Sequence, residues 1–169
     1  AGAVLLEPSE SEDTGIEDFI LRLDGSGYES LYTPAGGSLH PTSHETLEKK
    51  LHYIHQDGRA VFKHAIKGMV GVSSELMKRN HLTNRDIKYL IPHQANLRII
   101  DAVAKKLELE PEQVIINIQD YGNTTSATIP LAMSETYQKK MIDPGDRIII
   151  SGFGAGFAWG SLLLKWSME

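Results

Sequence analysis

Residues 89–107 read YLIPHQANLRIIDAVAKKL, and this stretch decides the fold class. Tyr89, Leu90 and Ile91 form a short apolar run of strand type, closed by Pro92. From Leu97 the spacing changes. Ile99, Ile100, Val103, Ala104 and Leu107 recur at helical intervals, and Asn96 stands where an N-cap belongs. A strand leading directly into an amphipathic helix is the repeating unit of α/β layered proteins.

The same alternation extends outward in both directions. Upstream, Val61, Phe62, Ala65, Ile66, Met69, Val70, Val72 and Leu76 predict a helix over 59–79. Gly68 and Gly71 inside it cost stability and are expected to mark close packing against another backbone. Downstream, 114–118 reads as a buried strand, Gly122-Asn123 as a turn and 127–141 as a helix. Pro144-Gly145-Asp146 is a turn before a strand over 147–153, and a glycine-rich bend at 152–156 leads into a last strand over 157–166. Toward the start, Phe19, Leu21 and Leu23 alternate within 15–24 and predict a half-buried strand, closed by Gly25 and Gly27. Residues 3–6 read as a short buried strand ended by Glu7-Pro8, 9–13 as an exposed acidic connection, and 33–46 as the longest loop. Strands alternating with helices, then two consecutive strands, make an α/β layered domain.

Composition narrows the function classes. The 169 residues are enough for one domain with a core that needs no disulfide or metal. At 41% hydrophobic and 23% charged residues the chain is of globular, soluble type. Seventeen basic against 22 acidic residues give a net charge of −5, a poor match to non-specific nucleic-acid binding. There is no cysteine, so no thiol chemistry originates in this chain. No apolar run approaches the ~20 residues that span a bilayer, and the opening AGAVLLEPSE lacks a signal-peptide pattern, so no membrane partner and a cytoplasmic location are expected. A start without Met, inside an apolar run, reads as a severed chain.

Three segments could carry chemistry, and each follows a predicted strand, where ligands bind in α/β sheets. In the first, 91–96, His93 sits one residue after a stiffening proline; its imidazole could donate to a carbonyl oxygen or accept a proton. A buried structural histidine is an equally good reading. In the second, 121–126, Asn123 lies in what by itself is an ordinary turn, yet its amide is a fixed donor for an oxygen that gains charge. The third, 152–157, is G-x-G-x-G followed by a strand rather than a helix, which fits no phosphate loop; its use would be backbone N–H groups close to a substrate oxygen. His40, His44, His52 and His55 have spacings that invite a metal reading, but chance placement on an exposed loop is favoured. Arg59, Lys63, Lys67 and Arg98 serve either solubility or docking of an anionic carrier.

PHQANLRII, YGNTTSATIPLA and GFGAGFAWGSLLLKW, with GRAVFKHAI upstream, together resemble the β-ketoacyl-acyl-carrier-protein synthase III family. The order and spacing match over 59–166, and the likeness runs more loosely back to AGAVLLEP. The resemblance implies a thiolase-like fold, of which this would be the C-terminal half of a five-layered αβαβα architecture. Residues 1–10 would then be the last strand of the N-terminal half and 11–169 the C-terminal catalytic half. It implies His93 and Asn123 as catalytic residues beside a cysteine carried by the other half. By the same match Ala155 supplies an oxyanion-hole N–H where the family commonly has glycine. An Ala there would mean that φ > 0 is not required. Asn96 would contact pantetheine, with Phe153 and Phe157 walling the substrate tunnel. Lys63 and Arg98, helped by Arg59, would dock the carrier. The implied reaction condenses an acyl-CoA starter with malonyl-acyl-carrier protein, with no cofactor beyond those thioester substrates. Implied partners are the cysteine-bearing half, acyl carrier protein, acyl-CoA and a second copy in a homodimer. The alternatives are a related synthase with another starter or acceptor, and a catalytically silent structural half. Alone, the chain is expected to be inactive.

Overall fold

The computed structural model describes residues 1–8 and 13–168. In chain order its elements are β1 (Gly15–Leu23), β2 (Leu31–Tyr32), α1 (His44–Glu48), β3 (His55–Gln56), α2 (Gly58–Arg79), β4 (Tyr89–Pro92), α3 (Leu97–Lys106), α4 (Ile118–Tyr121), α5 (Thr128–Gln138), β5 (Arg147–Gly154) and β6 (Ala158–Lys165). Four strands form one mixed sheet in the order β1-β6-β5-β4. β4 and β5 run parallel, while β5, β6 and β1 are successively antiparallel. β2 and β3 pair separately.

Helices cover both faces of this sheet. Met69, Val72 and Leu76 of α2 and Val103 and Leu107 at α3 pack with Ile20, Leu90, Ile149 and Leu163 on one side. Ala132 of α5 packs with Tyr89, Ile91, Ile148 and Trp166 on the other. Strands covered on both faces need apolar residues at successive positions, and the Tyr89-Leu90-Ile91 and Ile148-Ile149 runs meet that need. A buried triangle of hydroxyls crosses the first interface. Ser73 of α2 lies 2.7 Å from Ser161 of β6, whose hydroxyl donates to Ser151 of β5 at 2.8 Å. All three residues are buried, and each is satisfied by the others, so the polar groups do not destabilise the core they sit in.

α2 is the longest element. Asp57 caps its start by accepting from the Arg59 and Ala60 N–H groups, and Lys78 and Arg79 lie in its last turn, where cations suit the helix dipole. At that end, Arg79 and the C-cap Asn80 both donate to Asp18 of β1 and hold its carboxyl down at about 2. At the far edge of β5, Arg147 grips Glu17 with two N–H groups at 2.9 and 3.0 Å.

Three expectations need correction. Residues 3–6 form no strand and are exposed. Residues 9–12 of the acidic connection lie outside the described residues. In β1 the buried side chain is Ile20, 2% exposed, whereas Phe19, Leu21 and Leu23 are 56%, 70% and 75% exposed. Only one face of β1 meets α2; both faces carry apolar residues, so alternation could not say which. The strand expected over 114–118 reduces to a single bridge between Leu90 and Val114. The Gln94 amide takes over the pairing there. It donates to the Pro92 and Ile115 carbonyls and accepts from Asn117 N–H, so a side chain replaces the ladder.

The two interior glycines of α2, Gly68 and Gly71, also differ from the expected backbone packing. A Cβ at Gly68 would come 3.0 Å from the Trp159 ring, a side-chain contact, whereas one at Gly71 would meet nothing within 4 Å. Gly71→Ala should therefore raise stability by about 0.5–1 kcal/mol through helix propensity, and Gly68→Ala should gain less or lose, because Trp159 must yield. Denaturant midpoints of the two variants check the contrast; equal gains would show that Trp159 yields freely.

Candidate active site

Specific contacts join the first segment to the strand that feeds the glycine-rich bend and to the entrance of α5, just past the second segment. His93 N–H donates to the Ser151 carbonyl at 2.8 Å, which carries the β4–β5 ladder one residue past the end of β4. That bond places the first segment beside the strand that feeds the glycine-rich bend. The His93 ring meets the entrance of α5, two residues past the second segment, with Nδ1 2.6 Å from the Thr128 hydroxyl. Gly152 completes the circuit, since a Cβ built there would touch Ile129 of α5 at 3.9 Å.

His93 is part-buried, and burial alone pushes its pKa below the ordinary 6.5. The ring is therefore neutral near pH 7. No hydrogen bond engages its Nε2 among the described residues. Asn123 shows the same division. Its Oδ1 accepts from Thr125 N–H at 2.9 Å, which orients the side chain and leaves the amide NH2 without a partner among the described residues. Gly122 before it adopts φ +66°, ψ −159°, a conformation closed to other residues, so the turn that presents Asn123 depends on that glycine. Two neutral side chains, each anchored by one atom with a second atom free, suit stabilisation of a developing oxyanion.

The glycine-rich bend is the tip of the β5–β6 hairpin. Ala155 is exposed there and is absent from the positive-φ residues, so its conformation needs no glycine. Gly156, at φ +141°, does need one; a Cβ would come 2.8 Å from Ala158 N. Phe153 and Phe157 pack together with ring centroids 5.0 Å apart. Phe157 is only 1% exposed, locked under Gly27 and by paired backbone hydrogen bonds to Asp24, so it anchors the hairpin and offers almost no surface of its own. Phe153 keeps part of its surface.

Asn96 is exposed and caps α3, its Oδ1 accepting from Arg98 N–H at 2.9 Å. Arg59 and Lys63 on α2 and Arg98 on α3 are exposed, and none forms a salt bridge among the described residues. The Arg98 guanidinium lies 5.4 Å from the Phe62 ring centroid, which brings the starts of α2 and α3 to one side. Among the described residues no group of three or more His, Cys, Asp or Glu could hold a metal ion. Instead His55 meets Tyr32 edge-on and His52 packs against Tyr53. A cleft of about 750 Å³ lies elsewhere, between residues 4–8 and Met133, Leu164 and Trp166, and no candidate residue lines it.

Residues 77–166 match the family model described as 3-Oxoacyl-[acyl-carrier-protein (ACP)] synthase III C terminal. The chain belongs to this family. It is 50% identical over 168 residues to the β-ketoacyl-acyl-carrier-protein synthase III of Koribacter versatilis, covering 99% of this chain and 50% of that protein. Against the synthase III of Chlorobium chlorochromatii it is 47% identical over 98% of this chain and 51% of that protein. The chain thus spans about half the length of the curated relatives it matches. Among solved structures, the Pseudomonas aeruginosa synthase III superposes with a TM-score of 0.82 at 35% identity, over 95% of this chain and 47% of that one. The Aquifex aeolicus synthase III gives 0.81 at 33%, over 94% and 46%. The fold is the C-terminal half of the thiolase-like architecture of these synthases.

Sequence reasoning located His93, Asn123 and the bend but missed Thr128, which holds the His93 ring to the entrance of α5, and Gln94, which ties the end of β4 to residues 115–117. Thr128 lay hidden in a Thr/Ser run that reads equally well as helix caps, and no spacing rule pairs it with a histidine 35 positions earlier. In an NMR titration the His93 ring should protonate with a midpoint below 6.5. Because the folded state resists that proton, stability is complete above the unfolded value and declines as pH falls beneath it. A midpoint at or above 6.5 would mean that the ring is solvated.

Proposed function

We propose that this chain supplies the enolate-stabilising half of a 3-oxoacyl-acyl-carrier-protein synthase III active site. In the reaction, a cysteine thiolate on the other half attacks the acyl-CoA thioester and displaces the CoA thiolate. Malonyl-acyl-carrier protein then loses carbon dioxide, and the bonding pair moves into the thioester as an enolate. The enolate carbon attacks the acyl-cysteine carbonyl, forms the new carbon–carbon bond and expels the cysteine thiolate.

The observation that carries this reading is the paired anchoring of His93 and Asn123, each held by one atom with a second atom unengaged. His93 Nε2 and the Asn123 amide donate to the enolate oxygen, and one such donor in a water-poor site is worth about 3 kcal/mol in the transition state. Ala155 N–H, at the tip of the bend, serves the acyl-cysteine carbonyl. Phe153 presents the apolar wall, Asn96 the pantetheine contact, and Lys63, Arg98 and Arg59 the docking surface for the anionic carrier. The exposed Phe19, Leu21 and Leu23 face of β1 suits coverage by the cysteine-bearing half, in a dimer of the complete enzyme.

In the complete enzyme, His93→Ala should lower malonyl decarboxylation by about 10²–10³-fold while acyl transfer to the cysteine persists. Separate assays of the two half-reactions decide it, and equal loss of both would sink this division of labour. Replacing Lys63 and Arg98 together by Ala should raise KM for malonyl-acyl-carrier protein and flatten its salt dependence. An unchanged KM at low salt would return both residues to the role of solvated charges.

A further inference from the structure

Thr128 is 2% exposed, and its hydroxyl has one proton and two nearby acceptors. One is the Thr125 carbonyl at 3.0 Å; the other is His93 Nδ1 at 2.6 Å. Which acceptor takes the proton decides the chemistry of His93. If the hydroxyl points at Thr125, it accepts from an Nδ1–H, and Nε2 carries a lone pair that can only act as a base. If the hydroxyl points at His93, Nδ1 is the acceptor and the single ring proton sits on Nε2, where it can be donated.

Two observations separate these cases. The Thr125 carbonyl already accepts the Thr128 backbone N–H, so it is satisfied without the hydroxyl. A neutral His93 Nδ1 without a proton, in contrast, has no other partner among the described residues. We propose that Thr128 is a positioning residue that donates its hydroxyl proton to His93 Nδ1, holding the neutral imidazole as the Nε2–H tautomer and making it an oxyanion donor rather than a base. This inference rests on the proposed function for its catalytic consequence but not for its geometry. Thr128 occupies the first turn of α5, five residues after Asn123. One turn-and-helix entry thus presents the second oxyanion donor and sets the proton on the first.

The decisive measurement is a ¹⁵N-histidine correlation spectrum of the complete enzyme, taken above the His93 titration and without substrate. The expected result is a protonated Nε2 and an unprotonated Nδ1; the reverse assignment overturns the proposal. Activity supplies a second readout. Thr128→Val removes the donor at nearly constant volume and should lower kcat for malonyl decarboxylation by about tenfold with KM unchanged. Thr128→Ser, which restores the hydroxyl, should recover most of it. A folded Val variant with wild-type kcat, or a Ser variant no better than Val, overturns the proposal. Should the Val variant not fold, the wild-type spectrum still decides. An enzyme that forms no ketoacyl product but shows the Nε2–H ring would remove the proposed function and leave the Thr128 assignment standing.

Discussion

Ser151 joins the core of this protein to its candidate site, and much of the arrangement depends on that one residue. Its carbonyl accepts the His93 N–H at 2.8 Å, and its hydroxyl belongs to the buried triangle with Ser73 and Ser161. The main-chain bond fixes where β4 ends and therefore where His93 begins. The hydroxyl bonds tie the same strand to α2 and β6. A shift of β5 relative to α2 would break the triangle and move the histidine together. Buried hydroxyls that satisfy one another are costly to separate, so they hold the register more strictly than apolar contacts of the same area would.

The site follows a consistent electrostatic plan. His93 is made neutral by burial, and Asn123 is neutral by nature. Each is oriented by a hydrogen bond to the Thr125–Thr128 turn, and that turn lies at the entrance of α5. Neutral donors oriented before the reaction need no reorganisation as charge develops on a substrate oxygen. Fixed charges are placed elsewhere. Asp18, Glu17 and Glu135 are all held in ion pairs distant from the bend, while Arg59, Lys63 and Arg98 remain unpaired among the described residues. Free cations outside a neutral reaction site separate attraction of an anionic partner from the chemistry.

Side chains also do work here that backbone ladders usually do. Gln94, fully buried, pairs the end of β4 with residues 115–117, and Asn117 in turn donates to Glu135 of α5. The segment behind His93 is thereby joined to the helix that carries Thr128. The histidine is braced from the ladder by Ser151, from behind by Gln94 and from the ring edge by Thr128.

Periodicity alone located α2, β4, α3, α5, β5 and β6, because each buries a continuous apolar stripe whose spacing depends only on local geometry. His93, Asn123 and the bend at 152–156 were legible for a related reason: each sits where a strand ends, and strand ends show in the sequence as a break in periodicity. What tertiary structure alone decided is pairing across distance. It chose which face of β1 to bury, since Phe19 and Ile20 are equally apolar and only the position of α2 distinguishes them. It replaced the strand over 114–118 by a glutamine clamp, since a buried amide competes with a ladder only when folding brings it alongside. It also set Thr128 against His93, 35 residues apart, a contact that no local propensity encodes because its energy exists only once β4 and α5 have packed on the same sheet.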